Sequence, residues 1–231
     1  MEDKTFSVEV LDGKREAVAK LRTKSGVLVK PISVSDLILA LSREMEMSTG
    51  VLPCGTRFFS GTKQAYTIGV QVPSGTRAAQ FDIGDGGLKL MTIPFPELLF
   101  VFKVDNDRLD TTESSLFACL PPIGRPQDPL YFFPFGNVWE NGGICWGDVH
   151  IPTIDELVVL DSVVAKFLSS IFSGHLVHGT AMFVPPDPEV VNLRTLLEHL
   201  QGKQFFPDGT LKQSNVTLGA AMLRRRDRHD W

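Results

Sequence analysis

Tyr131-Phe-Phe-Pro-Phe-Gly-Asn137-Val-Trp-Glu-Asn-Gly-Gly-Ile-Cys145-Trp-Gly147 divides this chain into two halves of different periodicity. The stretch joins an extended aromatic run to one asparagine, a tight Asn141-Gly142-Gly143 turn and a lone cysteine. Glycines of this kind permit positive φ and close backbone approach. Turn chemistry and a single thiol so near each other suggest a backbone shaped to present a nucleophile.

Upstream the pattern has period two, the signature of half-buried strands. Phe6, Val8 and Val10 alternate with polar residues, and Asp12-Gly13 is a hairpin turn signal. Glu16 to Leu21 reads as a second strand or a short helix, and Val27-Leu28-Val29 as a short strand. Ser33-x-x-Asp36 resembles a capping box, and Val34, Leu37, Ile38, Leu41 and Met45 follow at helical spacing, so a helix is expected up to Ser48-Thr49-Gly50. Short strands are then expected over 57–60, 66–72, 77–83, 88–93, 98–104 and 114–120, joined by turns such as Pro73-Ser74-Gly75. Consecutive strands with short connections predict an antiparallel meander.

Downstream the period becomes helical. Thr153 and Glu156 form a capping-box pattern, and Ile154, Leu157, Val158, Val164, Ala165, Leu168, Ile171 and Phe172 predict one helix ending at Ser173-Gly174. Asp187-Pro188 predicts the start of a second, with Val190, Leu193, Leu196, Leu197 and Leu200 buried and Gly202 as its stop. The turn-rich remainder reads as a tail. The expected fold class is therefore α+β, with three regions: strands and a helix over 1–50, a core over 51–202 and a C-terminal tail over 203–231.

The bulk numbers narrow the function. Of 231 residues, 43% are hydrophobic and 22% charged, as in ordinary globular proteins. A net charge of −4 argues against general nucleic-acid or acidic-membrane binding. No apolar run is long enough to span a bilayer, and the charged start Met1-Glu2-Asp3-Lys4 lacks the apolar segment of a secretory signal, so a cytoplasmic location is expected. Cys54, Cys119 and Cys145 are odd in number and widely spaced, which speaks against disulfides and structural zinc. Cys119, in an apolar run, reads as a buried hydrophobe. His175 and His178 read as residues binding carbonyls at a helix end, Trp139 and Trp146 as packing residues that shield the loop or as a partner-facing edge, and the arginines at 224–226 and 228 as a solvated tail or a contact for an acidic partner protein. No Walker-type phosphate loop is present in the sequence.

Asn137 and Cys145, eight residues apart across the glycine turn with Ile144 before the thiol, resemble the active-site signature of ubiquitin-conjugating enzymes, which runs His-Pro-Asn, a short turn, then the catalytic cysteine. The order of meander, loop and helices is similar too. Pro134-Phe135-Gly136-Asn137-Val138 with Gly143-Ile144-Cys145-Trp146-Gly147 looks like the divergent bacterial branch, which includes protein B of the PRTRC system and the conjugating component of Bil antiphage operons. The detailed likeness covers about residues 130–147, and element order extends it over roughly 50–175. Phe135 and Gly136 stand where the family has His and Pro, so Phe135 is carried over as a packing position.

The resemblance implies a ubiquitin-conjugating-like fold with an N-terminal extension. It also implies an enzyme that accepts a ubiquitin-like modifier as a thioester on Cys145 from an activating enzyme and passes it to a target lysine, without cofactor or metal. A thiolate suits this chemistry because it is a strong nucleophile whose thioester stays reactive toward amines. Asn137 could brace the loop or donate to the oxyanion. Asp148 and His150 are the candidates for proton transfer or loop support, and Phe135, Gly136, Gly142, Gly143 and Trp146 for shaping the loop. Two other readings stand beside it: an inactive adaptor that binds the modifier or activating enzyme, favoured by the missing His-Pro, and a cysteine hydrolase, which needs a histidine near the thiol, a part that His150, His175 or His178 could serve.

Overall fold

Leu98 to Val104 is apolar at every position except Lys103, a pattern that suits a strand buried on both faces. In the computed structural model of the chain this run is the centre of the largest sheet. The structure describes residues 5–10, 16–23, 26–33, 50–62, 64–84 and 87–223. The chain divides into two compact units, Met1–Ser48 and Thr49–Trp231.

The first unit contains an antiparallel sheet of β1 (Thr5–Val10), β2 (Glu16–Thr23) and β3 (Gly26–Ser33), in that order. The helix expected after Ser33 falls at residues outside those described.

The second unit is built on a seven-stranded sheet. Its strands are β4 (Thr56–Gly61), β5 (Ala65–Val72), β8 (Glu97–Asp105), β9 (Arg108–Leu109), β10 (Ser115–Cys119), β11 (Pro129–Tyr131) and β13 (Gln213–Thr217). The order is β13-β11-β10-β8-β5-β4, with β9 paired to β8. The expected single meander is interrupted, because β6 (Gly75–Asp82) and β7 (Leu88–Phe95) leave this sheet and form another with β12 (Ile171–Ser173), in the order β12-β6-β7. The chain departs at Pro73 and returns past Pro96; proline has no N–H with which to continue a ladder.

Both faces of the large sheet are covered. Leu98, Phe100, Phe102, Val104, Leu116 and Ala118 belong to the main core, while Leu99, Val101, Phe117 and Cys119 pack with Leu218 and Ala221 of α3 (Leu218–Leu223) on the other side. Period-two alternation along β8 and β10 sends successive side chains to opposite faces. The region read as a C-terminal tail thus supplies a strand and a helix up to Leu223. β13 has no apolar alternation of its own; it is fixed by pairing with β11 and by the Ser214 hydroxyl, which donates to the Leu130 carbonyl at 2.8 Å.

The helices are shorter than expected. α1 spans Val159–Leu168 and buries Leu160, Val163, Val164 and Phe167 at helical spacing. Thr153 begins no helix; the Ile154 N–H instead donates to Asp107 O at 2.8 Å, and turns fill the gap. Ile171 to Ser173, read as the end of this helix, is strand β12. There Ile171 is exposed and Phe172 buried, period two rather than 3.6. α2 spans Leu193–Leu200. Asp187 caps only a turn, through the Glu189 N–H, and Asn192 starts the helix through a reciprocal capping box with Thr195.

Where the two sheets and α1 meet, the core is aromatic. Phe81 of β6, Phe95 of β7, Phe172 of β12, Phe167 of α1 and the loop residues Phe133 and Phe135 are all almost fully buried. Ring centroids lie 4.7 Å apart for Phe95–Phe135, 5.4 Å for Phe133–Phe135 and 5.5 Å for Phe81–Phe172. The first is tilted, the second edge-to-face and the third stacked, and aromatic pairs of this kind add about 0.5–1.5 kcal/mol each beyond area burial. Phe172→Ala should lower the unfolding free energy by about 3–5 kcal/mol, read as a reduced urea midpoint at unchanged slope.

Candidate active site

The loop residues 133–138 are buried without a break, and exposure begins at Trp139. This buried base carries a hairpin closed by Asn137 and Cys145: the Cys145 N–H donates to Asn137 O at 2.8 Å. Above that pair Val138 bridges Ile144, and the Trp139 N–H donates to Gly143 O at 2.9 Å. The turn is closed by the Gly142 N–H to Trp139 O at 2.8 Å and by the Gly143 N–H to Asn141 Oδ1 at 2.9 Å. The eight-residue interval therefore has a physical meaning. Its two ends are hydrogen-bonded to each other.

The hairpin is also fixed from behind. The Leu116 N–H donates to Gly142 O at 2.8 Å, the Ile144 N–H to Ser114 O at 3.4 Å, and Ser115 bridges Gly143. Gly142 has φ +81°, and a Cβ there would overlap the Phe117 ring, so glycine is required for both conformation and space.

Asn137 has φ +67°, a left-handed conformation that asparagine tolerates better than most residues. Its side chain is 9% exposed with its residue and points at β12. Nδ2 donates to Ile171 O at 2.7 Å and lies 3.4 Å from Ser170 Oγ, while Oδ1 accepts the Ser173 N–H at 2.9 Å. Bonding to residues on either side of Phe172 is what a neighbouring parallel strand would do. The carboxamide thus stands in for a peptide unit along β12, whose other edge pairs in parallel with β6. Of the two roles open to Asn137 from sequence, these bonds describe bracing.

Gly136 makes the approach possible. A Cβ at this position would overlap the Ser173 carbonyl. Phe135 fills the aromatic core, where it also meets Phe206 at 6.2 Å.

The Cys145 residue is half-buried, and the thiol has no hydrogen-bond partner among the described residues. Cys54 is exposed, its N–H bound to the Asp161 carboxylate of α1 at 3.1 Å. Cys119 is buried, and desolvation, with the nearby Glu97 charge second, pushes its thiol up to about 12, so it is a poor nucleophile.

Beyond Cys145, Trp146 is buried against Phe167, centroids 6.0 Å apart, and its indole N–H has no partner among the described residues. Asp148 and His150 are exposed. The His150 carbonyl accepts from Lys166 Nζ of α1 at 3.0 Å, but neither the Asp148 carboxylate nor the His150 ring hydrogen-bonds to Cys145. Ser173, which was not among the sequence-based candidates, lies against Asn137, and the Nδ1 of His175, one of the three histidines open to the hydrolase reading, is 2.8 Å from the Ser173 hydroxyl. Nothing in the short Ser-Gly-His run marks Ser173, since the run carries no specific signature. Among the described residues no group of three or more His, Cys, Asp or Glu is placed to hold a metal ion, and no helix is long and apolar enough to cross a membrane.

The family model for prokaryotic E2 family D, a family of ubiquitin-conjugating type, matches residues 45–214, well over half of the chain. The β1–β3 sheet lies outside the match. No curated protein and no solved structure matches the chain. The sheet-rich second unit with few helices is consistent with an E2-like fold.

The contact between Gly136 and Ser173 is the tightest of the site. Gly136→Ala should destabilise the protein by about 1–3 kcal/mol through overpacking. In hydrogen exchange the loss should be greatest at the Ser173 N–H, whose partner Asn137 is displaced.

Proposed function

The chain belongs to prokaryotic E2 family D, and on that premise we propose that it is a conjugating enzyme which carries a ubiquitin-like modifier as a thioester on Cys145. Membership of an E2-like family implies, in general terms, dealings with a modifier and with an activating enzyme. The proposal goes further, to the residues and the bonds. The Cys145 thiolate attacks the thioester carbonyl held by the activating enzyme, a new C–S bond forms, and the enzyme's thiolate leaves. A target lysine then attacks the same carbonyl, an amide forms, and Cys145 departs as thiolate. The acyl bond is energised upstream, so no nucleotide chemistry is assigned to this chain. By its likeness to the PRTRC and Bil proteins, we place the reaction in a bacterial cytoplasm, in an operon of antiphage or plasmid function.

The observation that carries this reading is the hairpin closed by Asn137 and Cys145. It holds the single thiol of the loop, on a half-buried residue, on a braced support next to the exposed turn, as access by two large proteins requires. A deep pocket would exclude them. The departure from His-Pro also has a structural account that does not involve loss of the site. Phe135 occupies the core and Gly136 admits the Ser173 carbonyl. The adaptor reading therefore loses its main support. The hydrolase reading needs an imidazole bonded to the thiol, and no such bond links Cys145 to a described histidine.

Incubated with its cognate modifier, activating enzyme and ATP, the protein should give a thiol-sensitive adduct on a non-reducing gel. In Cys145→Ser the adduct should survive reductant as an ester. Absence of any adduct with an active upstream pair would leave only the adaptor, and cleavage of preformed conjugates without ATP would indicate a hydrolase. Asn137→Ala should still charge but discharge to lysine more slowly. Discharge at the wild-type rate would refute a role for Asn137 in transfer.

A further inference from the structure

Transfer to lysine needs a proton acceptor. An ε-amine with an ordinary pKa of about 10.4 is almost wholly protonated at neutral pH. The adduct it forms with a thioester must lose an N–H proton before the C–S bond breaks in the direction of amide. Asp148 and His150, the nearest candidates in sequence, are exposed, and no hydrogen bond fixes either side-chain head group among the described residues.

A different imidazole is tied to the site through an unbroken series of bonds. Cys145 pairs with Asn137 through the backbone at 2.8 Å, and Asn137 Oδ1 accepts the Ser173 N–H at 2.9 Å. The Ser173 hydroxyl in turn lies 2.8 Å from His175 Nδ1. His175 sits in a single 3₁₀ turn, Gly174–Leu176, anchored by buried Leu176 and by the Val177 N–H donating to Gly174 O at 3.0 Å. Its residue is exposed, and Nε2 has no hydrogen-bond partner among the described residues. A ring held at one nitrogen and open at the other is what a proton acceptor for an incoming amine requires.

We infer that His175, oriented by Ser173, takes the proton from the lysine amine during transfer; this rests on the conjugating reading above. With Nδ1–H donating to the Ser173 hydroxyl, Nε2 carries the free lone pair. Lysine nitrogen attacks the thioester carbon, and its N–H proton passes to Nε2. The tetrahedral adduct collapses with cleavage of C–S, and the Cys145 thiolate leaves. The imidazolium then returns its proton to the thiolate or to water. The Nδ1–H bond to Ser173 is kept throughout, so the ring need not reorient. Ser173 is a positioning residue, and Asn137 positions Ser173.

The test separates charging from discharge. Wild type, His175→Ala, His175→Gln and Ser173→Ala are each loaded with the cognate modifier and then chased with free lysine or with hydroxylamine, an amine largely unprotonated at neutral pH. All four should charge alike. His175→Ala and His175→Gln should lose about 10²–10⁴-fold in lysine discharge, the usual contribution of a general base, and Ser173→Ala less. Hydroxylamine discharge should fall far less, because its adduct is more acidic and sheds its proton to water more readily, and added imidazole should restore part of the lysine rate in His175→Ala. Wild-type lysine discharge in both His175 variants overturns the inference. So does an equal loss with hydroxylamine, which marks a packing defect, or a loss of charging, which marks a docking residue. If wild type itself does not charge, the conjugating reading fails and this inference falls with it.

Discussion

The carboxamide of Asn137 lying along β12 is the constraint on which the site depends. Two hydrogen bonds, to Ile171 O and from the Ser173 N–H, join the loop before the hairpin to the strand after α1. Neither segment has a regular partner on that side. A buried amide left without partners costs about 1–3 kcal/mol, so the side chain and the strand edge each satisfy a need of the other. The left-handed backbone of Asn137 serves the same end, turning the carbonyl to receive Cys145 while the side chain faces β12. One residue thereby fixes the thiol's hairpin and the Ser173–His175 segment together.

Beneath this clamp lies the aromatic core. Phe133 and Phe135 enter it from the loop, Phe81, Phe95 and Phe172 from the smaller sheet, and Phe167 from α1. Rings from three elements share one volume, so the loop cannot shift without repacking the others. Gly136 is the counterpart of these large neighbours. The bulk at 135 and the absence of bulk at 136 both bring the loop down onto β12. A histidine and a proline would meet neither requirement here, since the ring at 135 is fully buried in an apolar core among other rings and position 136 has no room for a Cβ.

Much of this was legible in the sequence, for reasons that can be named. Strands β5 and β8 declared themselves by alternation and by an unbroken apolar run. The Asn137–Cys145 interval was visible because a hairpin of fixed length fixes a sequence spacing. What was hidden is equally specific. Ile171 and Phe172 continue the helical pattern of α1 by coincidence of spacing, and only pairing with β6 makes them a strand. Asp187 and Asn192 are both good caps, and the buried leucine stripe beginning at Leu193 decides between them. β13 has no apolar pattern to read, because it is held by the edge of β11. Ser173 reaches the site through a long-range bond to Asn137, which neighbouring residues in the chain do not encode, and His175 is joined to it only through Ser173.

The short strand β12 ends its sheet, and the outward-facing backbone of such a strand is a standing invitation for another chain to add itself. In this protein the invitation is withdrawn. Asn137 occupies the Ile171 carbonyl and the Ser173 amide, and Gly136 lies over the Ser173 carbonyl. The same amide that steadies the loop also fills the edge of β12. An extended peptide that approaches this border of the sheet finds it already taken.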